Sequence, residues 1–421
     1  MRFASQFVRF LAIASAFAAT ALAQTDSRAA VIAAQQDEKA AQAAPDEHGK
    51  VENAMLWYRD HDLLQKFSEG VGGFRPRIGG IAVGTGFGFG PEYRRSDLLG
   101  GKLGFRSSAQ FSFQGDQKFD LQLTAPKISG GRYFTEFYAV HHNYPRLSYY
   151  GSGPDSEKSG RTDFRLEDTA LDATFGMRPV KHLTLGATAG YLLNNVGPGT
   201  DSRYAPAEQV YSPEQAPGID VQSNYLRTGG FAQYDWRDNP DGTRRGGNYF
   251  AQFSDYRDRS FGLSNFRRLD MEAQQFVSVL NHRRVFAVRA KTALTYADGA
   301  APIPFYMQPS LGGGDDLRGY RPYRFRGDNL MVMNAEYRWE VFSGLDMAVF
   351  GDAGQVFKKK SDLALTKMET DIGFGLRFNQ RNKTFLRMDV GFSHEGFQVW
   401  VKFSNIFKKG PVHTSSIMGD L

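Results

Sequence analysis

Asn334-Ala-Glu-Tyr-Arg-Trp-Glu-Val341 decides the fold class. Ala335, Tyr337, Trp339 and Val341 fall on one side of a period of two. Asn334, Glu336, Arg338 and Glu340 fall on the other. Successive strand side chains point to opposite faces, so this stretch is a strand with one apolar and one charged face. The same texture recurs. In 268–279, Leu269, Met271, Ala273, Val277 and Val279 alternate with Arg268, Asp270, Glu272, Gln274 and Ser278. In 286–296, Phe286, Val288, Ala290, Leu294 and Tyr296 alternate with Arg289, Lys291 and Thr295. In 397–404, Phe397, Val399, Val401 and Phe403 alternate with Gln398, Lys402 and Ser404.

A soluble barrel turns its apolar face inward and fills the interior with it. Here the opposing set is strongly charged and the runs are long. A porin-type barrel inverts the pattern, with lipid outside and a polar lumen inside. Closure also satisfies the backbone groups that hydrocarbon would otherwise strand. The expectation is an all-β chain: a closed antiparallel transmembrane β-barrel of about 16 strands, spanning 77–407, with a short N-terminal helical extension.

Composition agrees. Among 421 residues there are 46 Gly, 35 Phe and 19 Tyr, and aromatics reach 14%, which suits strands and interfacial girdles. No stretch after residue 77 holds 18 consecutive apolar residues, so no transmembrane helix is expected. The chain contains no cysteine, which excludes disulfides, zinc–cysteine sites and thiol nucleophiles. The net charge of +6 is dispersed among acids and does not point to nucleic acid.

The N-terminus points to export. Arg2 and Arg9 precede the apolar run Phe10 to Leu22, and Ala21-Leu22-Ala23 is a small-residue cleavage site. Residues 1–23 read as a signal peptide, and the expected location is the bacterial outer membrane. Residues 24–76 read as a flexible segment followed by a short periplasmic amphipathic helix. There Val51, Met55, Leu56, Leu63, Leu64 and Phe67 recur at helical spacing. Residues 408–421 form a C-terminal tail.

Connection lengths fall into two sets. One is short: Ser96–Gly101, Ser129–Gly131, Arg178–His182, Asn281–Arg284, Phe342–Gly344 and Gln380–Lys383. The other contains Tyr144–Arg161, Val196–Val221, Ala297–Asp328 and Lys358–Thr366. Short periplasmic turns and longer outer loops are the rule for outer-membrane barrels. The expected first strands, near 77–84 and 86–94, carry Gly80, Gly84 and Gly86 among other glycines, which weaken that edge.

One constellation is more specific. Leu311-Gly-Gly-Gly-Asp-Asp-Leu-Arg-Gly-Tyr320 is followed by Arg324-Phe-Arg-Gly-Asp328, and then by Phe350, Asp352 and Gly354. These residues resemble the bacterial surface antigen family, the outer-membrane assembly-factor superfamily of BamA and TamA. The resemblance implies an outer loop folded into the lumen, its tip formed by Arg318, Gly319 and Tyr320. It implies that Arg318 pairs with Asp352 of the Phe-x-Asp-x-Gly motif, and that Glu336 faces the lumen. A guanidinium inside a barrel needs a fixed carboxylate, which accepts it bidentately. The pair reads as an architectural lock rather than a catalytic dyad. Tyr149-Tyr-Gly-Ser-Gly-Pro-Asp-Ser156 and Arg161-Thr-Asp-Phe-Arg resemble an outer loop of the family. Asp235-Trp-Arg-Asp-Asn-Pro240 with Arg245-Gly-Gly247 resembles its periplasmic turn. Residues 24–76 lack the pattern of the periplasmic POTRA domains usual in the family, so a POTRA-less member is expected.

Other motifs carry less. Gly84-x-Gly86-x-Gly88 lacks the helix and downstream acid of a dinucleotide site. His141 and His142 would point to opposite faces and are not expected to bind metal. Asp315-Asp316 lacks a full oxygen cage for a cation. No nucleophile–base pair is visible, so neither enzymatic activity nor a cofactor is expected. The resemblance implies insertion of outer-membrane proteins, or transport of protein or lipid. A lateral seam would lie between the glycines at 80, 84 and 86 and the final strand with Phe397, Val399, Val401 and Phe403. The alternative is a transport or structural pore plugged by the 297–328 loop. Expected partners are outer-membrane lipid and lipopolysaccharide, unfolded outer-membrane protein clients and periplasmic accessory proteins.

Overall fold

The computed structural model describes residues 70–280, 283–299, 301–380 and 383–403. The signal peptide, the N-terminal helix and the tail expected above lie outside these residues.

Sixteen strands form a single antiparallel sheet in chain order. The first eight are β1 (Phe74–Gly79), β2 (Gly88–Asp97), β3 (Leu103–Ser112), β4 (Gln117–Ile128), β5 (Tyr133–Tyr149), β6 (Thr162–Val180), β7 (Leu183–Pro198) and β8 (Tyr225–Asp235). After β9 (Gly246–Asp258), β10 (Phe266–Val279) and β11 (Arg284–Ala297), the chain leaves the wall. It forms a two-residue pair, β12 (Ser310–Leu311) with β13 (Phe325–Arg326). It rejoins the wall as β14 (Asn329–Phe342), β15 (Leu345–Phe357), β16 (Glu369–Gln380), β17 (Lys383–Ser393) and β18 (Gly396–Lys402). Connections alternate between one end of tight turns and one end of longer loops, so β1 starts at, and β18 runs back toward, the short-turn end. The 236–245 connection is a turn at that end. The 150–161 and 298–328 connections belong to the other.

Side-chain direction follows the sequence pattern. Phe286, Val288, Val349, Phe374 and Val399 face outward and exposed, while Glu336, Arg338, Asp352 and Arg377 are buried inside. Phe286, Tyr337 and Trp339 form an outward aromatic row near the short turns, as an interfacial girdle requires. His141 and His142 do take opposite faces. His142 is buried against Asp168 at 2.8 Å, and His141 lies beside Thr169 at 2.9 Å.

Three features depart from the sequence reading. First, the interior is not uniformly polar. Toward the long loops, Tyr149, Phe164, Tyr225, Phe266, Phe305 and Tyr306 belong to one buried apolar cluster. Long loops that fold inward carry backbone that must be shielded, and they bring an apolar core of their own. Second, β1 ends at Gly79, not near 84. Gly84 and Gly86 have φ of +84° and +73°, a left-handed conformation that breaks a strand. The 80–87 segment turns against the inserted loop instead, and a Cβ on Gly84 would stand 2.7 Å from Pro322.

Third, the barrel is nearly closed, with one interruption in its ladder. Among the described residues no hydrogen-bonded pair joins β1 to β18. These are the shortest strands of the sheet, six and seven residues. Proline marks the first of these edges. Arg94 N–H donates to the Gly73 carbonyl, which fixes the phase of the β1–β2 ladder. Arg75, Arg77 and Gly79 therefore aim their backbone groups at β2, Pro76 and Ile78 aim theirs at the open edge, and Phe74 bonds back to Val71. Pro76 lies opposite Pro91, and neither carries an N–H. Pro91 also falls in the gap of the β2–β3 register, where Gly90 and Pro91 have no partner.

Candidate functional site

The connection from β11 to β14 descends into the lumen and brings the Arg-Gly-Tyr tip against β14–β18. Arg318 is 0% exposed. Its Nε and Nη2 donate to the two carboxylate oxygens of Asp352, both at 2.8 Å, and its Nη1 donates to Glu336 Oε2 at 2.7 Å. The guanidinium carbon lies 3.3 Å from the centre of the Phe350 ring. The alternation of β15 places Phe350, Asp352 and Gly354 on one face, so ring and carboxylate reach one guanidinium together. Gly354 leaves room for Leu311 and Leu317. Burial disfavours the charge on Arg318. Asp352 and then Glu336 outweigh that, so it is held more firmly protonated than an ordinary arginine.

The other tip residues are placed by contact too. A Cβ on Gly319 would stand 2.6 Å from Asp371 Cβ, so the approach requires glycine. Tyr320 donates its hydroxyl to Glu369 at 2.8 Å.

Sequence reasoning missed much of this site. Arg377 donates to Glu336 at 2.8 Å and to Asp389 at 2.6 Å, and Arg338 donates to Glu336 at 2.6 Å. Three guanidinium groups thus converge on Glu336. Gly391 on β17 makes room for the tip, since a Cβ there would lie 2.5 Å from the Arg318 carbonyl carbon. The Trp400 indole N–H donates to the Arg318 carbonyl oxygen at 2.7 Å. Lys402 reaches Asp315 at 2.8 Å, and Arg387 reaches it at 2.9 Å. Asp316 faces Lys291 at 3.3 Å. The two aspartates are thus each paired with protein cations.

The expected seam residues separate into two groups. Phe397, Val399, Val401 and Phe403 line the outward face of β18, with Phe397 and Val399 62% and 59% exposed. Gly80, Gly84 and Gly86 lie in the loop that follows β1, not on its edge. Phe87 meets Phe403 edge-on at 6.0 Å across the gap. The inward side chains of β18 meanwhile grip the inserted loop through Trp400 and Lys402. The final strand is therefore tied to β17 and to the loop, and not to the first strand.

Comparison with known proteins fits this geometry. A family model, the Omp85 superfamily domain, matches residues 97–403. Among solved structures, the chain is similar to BamA from Haemophilus ducreyi lacking POTRA domains 1–3. The TM-score is 0.58 and the identity 12%, over 83% of this chain and 78% of that one. It is also similar to CdiB from Escherichia coli, with a TM-score of 0.50 and 14% identity, over 77% of this chain and 60% of that one. No curated protein matches the sequence.

Proposed function

We propose that this chain, which belongs to the Omp85 superfamily, is an integral outer-membrane barrel that helps other outer-membrane proteins insert, or helps protein or lipid cross, through the seam between β1 and β18. The observation that carries this reading is the unclosed pair of short strands. A tilted strand needs about 9–11 residues to cross hydrocarbon, and β1 and β18 have six and seven. The wall is therefore both thin and unzipped at one place. Free strand edges template an incoming strand by β-augmentation. Export through a cleaved signal peptide, lipid and lipopolysaccharide contacts, unfolded protein clients and periplasmic accessory partners belong to the same reading. So does the role of Arg318, Gly319, Tyr320, Glu336, Phe350, Asp352 and Gly354 as a lock on the inserted loop.

The test is a reversible bolt. The chain has no cysteine, so Ile78→Cys with Phe403→Cys, which line one cavity, introduces a single defined pair. In a depletion strain, the oxidised double variant is expected to fail to support the outer-membrane proteome, and reductant is expected to restore it. Full function while bolted would sink the seam. It would leave the alternative, a pore plugged by the 298–328 connection, whose signature is steady conductance appearing when 311–324 is deleted.

A further inference from the structure

Four arginines face inward at the start of the barrel: Arg75 and Arg77 on β1, Arg94 on β2 and Arg106 on β3. They line a cavity of about 640 Å³ beside the seam. Among the described residues, the carboxylates Glu92 and Asp120 serve three of them. Arg75 donates to Glu92 at 2.8 Å. Arg77 reaches Asp120 at 2.9 Å and Arg106 reaches it at 3.2 Å. Arg94 has no ion-pair partner among the described residues and is exposed. Among the described residues, four guanidinium groups face the two carboxylates Glu92 and Asp120, which leaves a positive surplus. The network round Arg318 is different, because each guanidinium there meets carboxylates at hydrogen-bond distance. The surplus at β1–β3 thus contrasts with the balanced network round Arg318.

The opposite lip of this cavity carries an apolar strip. Pro76, Ile78, Phe105 and Phe403 line it, beside Arg95, which is paired with Asp97. Pro76 and Ile78 alternate with Arg75 and Arg77 on the same strand and so occupy its other face. The cavity therefore wraps the free edge of β1, with the four guanidinium groups toward the lumen and the apolar strip toward the outside. Guanidinium groups bind phosphate bidentately and stay charged at any working pH. Apolar contacts on the outer side suit an acyl chain.

We infer that this cavity binds a phosphate-bearing anionic amphiphile, its headgroup among Arg75, Arg94 and Arg106 and its tail passing out over Pro76, Ile78 and Phe403. The site is built from β1–β3 and the end of β18 as they stand. It needs no movement of the seam, so it stands or falls apart from the insertion reading.

The experiment uses the full chain in nonionic detergent and native mass spectrometry. The probes are phosphatidylglycerol, phosphatidylcholine, inorganic phosphate and an acidic octapeptide. Wild type is expected to retain phosphatidylglycerol at least tenfold better than phosphatidylcholine. Arg94→Gln, which breaks no ion pair, is expected to lower that retention about threefold, and Arg75→Gln with Arg94→Gln about tenfold. Arg257→Gln, on the outer face of β9, should change nothing. Heat-modifiable mobility shows that each variant is folded. Unchanged phosphatidylglycerol binding in the folded double variant would overturn the site. Inorganic phosphate competing as strongly as the lipid would overturn the amphiphile, as would the acidic peptide binding in its place.

Discussion

The indole N–H of Trp400 donates to the main-chain carbonyl of Arg318 at 2.7 Å, joining the last strand to the tip of the inserted loop. That bond, with Lys402 on Asp315, places one lip of the seam under the control of the loop.

Trp400→Phe keeps an aromatic ring and removes the donor. A lost buried hydrogen bond costs about 1–3 kcal/mol, and here the cost should appear locally. Amide exchange in 396–402 is expected to quicken by tenfold or more, with β9–β11 unchanged. Uniform exchange across the barrel would show that β18 does not depend on the loop.

Asp352→Ala removes the bidentate acceptor of Arg318. Glu336 remains, so the loss lies at the lower end for a broken buried pair, about 3 kcal/mol. The 311–324 segment is expected to become cleavable by trypsin in the folded barrel, and the melting temperature in detergent to fall. A folded variant with full loop protection would show that the ion pair does not hold the loop.

Gly391→Ala adds a methyl where the Arg318 carbonyl carbon is only 2.5 Å away. The tip must lift, although no charge changes. The same proteolytic opening as in Asp352→Ala is expected, without a change in the β16–β17 register. Normal protection would mean that the strand shifts instead.

Acid should leave the loop in place over a wide range. Burial favours the protonated form of Asp315. The cations of Lys402 and Arg387 outweigh it and hold the carboxyl below the ordinary carboxylate range. A depressed folded value contributes stability that is fully present above the unfolded value of about 3.9 and is lost only as pH falls through the lower folded value. Exchange protection of 311–320, corrected for intrinsic rate, is therefore expected to be the same at pH 7.5 and 4.5. Loosening already at pH 5 would contradict the assignment.

The wall was legible because alternation is a local property. Each strand declares its lipid and lumen faces without reference to any other, and Glu336 and Arg338 needed only Tyr337 and Trp339 beside them. Arg318 and Asp352 were legible through a motif. Arg377, Asp389, Arg387 and Trp400 were not, because lumen charges occur on almost every strand. Which of them meet depends on register and on the depth of the inserted loop. The glycines at 84, 86 and 88 misled for a related reason. Their spacing imitates a strand, but positive φ at two of them bends the chain inward. The apolar plug escaped notice because Tyr149, Phe164, Tyr225 and Phe305 come from separate stretches of the chain and share no periodicity.

Proline at position 76 makes the two lips of the opening unequal. Toward the gap, β1 offers the amide hydrogen of Ile78, since Phe74 N–H donates to the Val71 carbonyl and Pro76 carries none. The described part of β18 has no proline and so no such interruption. A visiting segment that docks on β1 meets a broken rung halfway, so its grip there is shallow and easily released. The same segment on β18 can zip without a gap. Any traffic through this doorway should therefore be received on the closing strand and shed from the opening one.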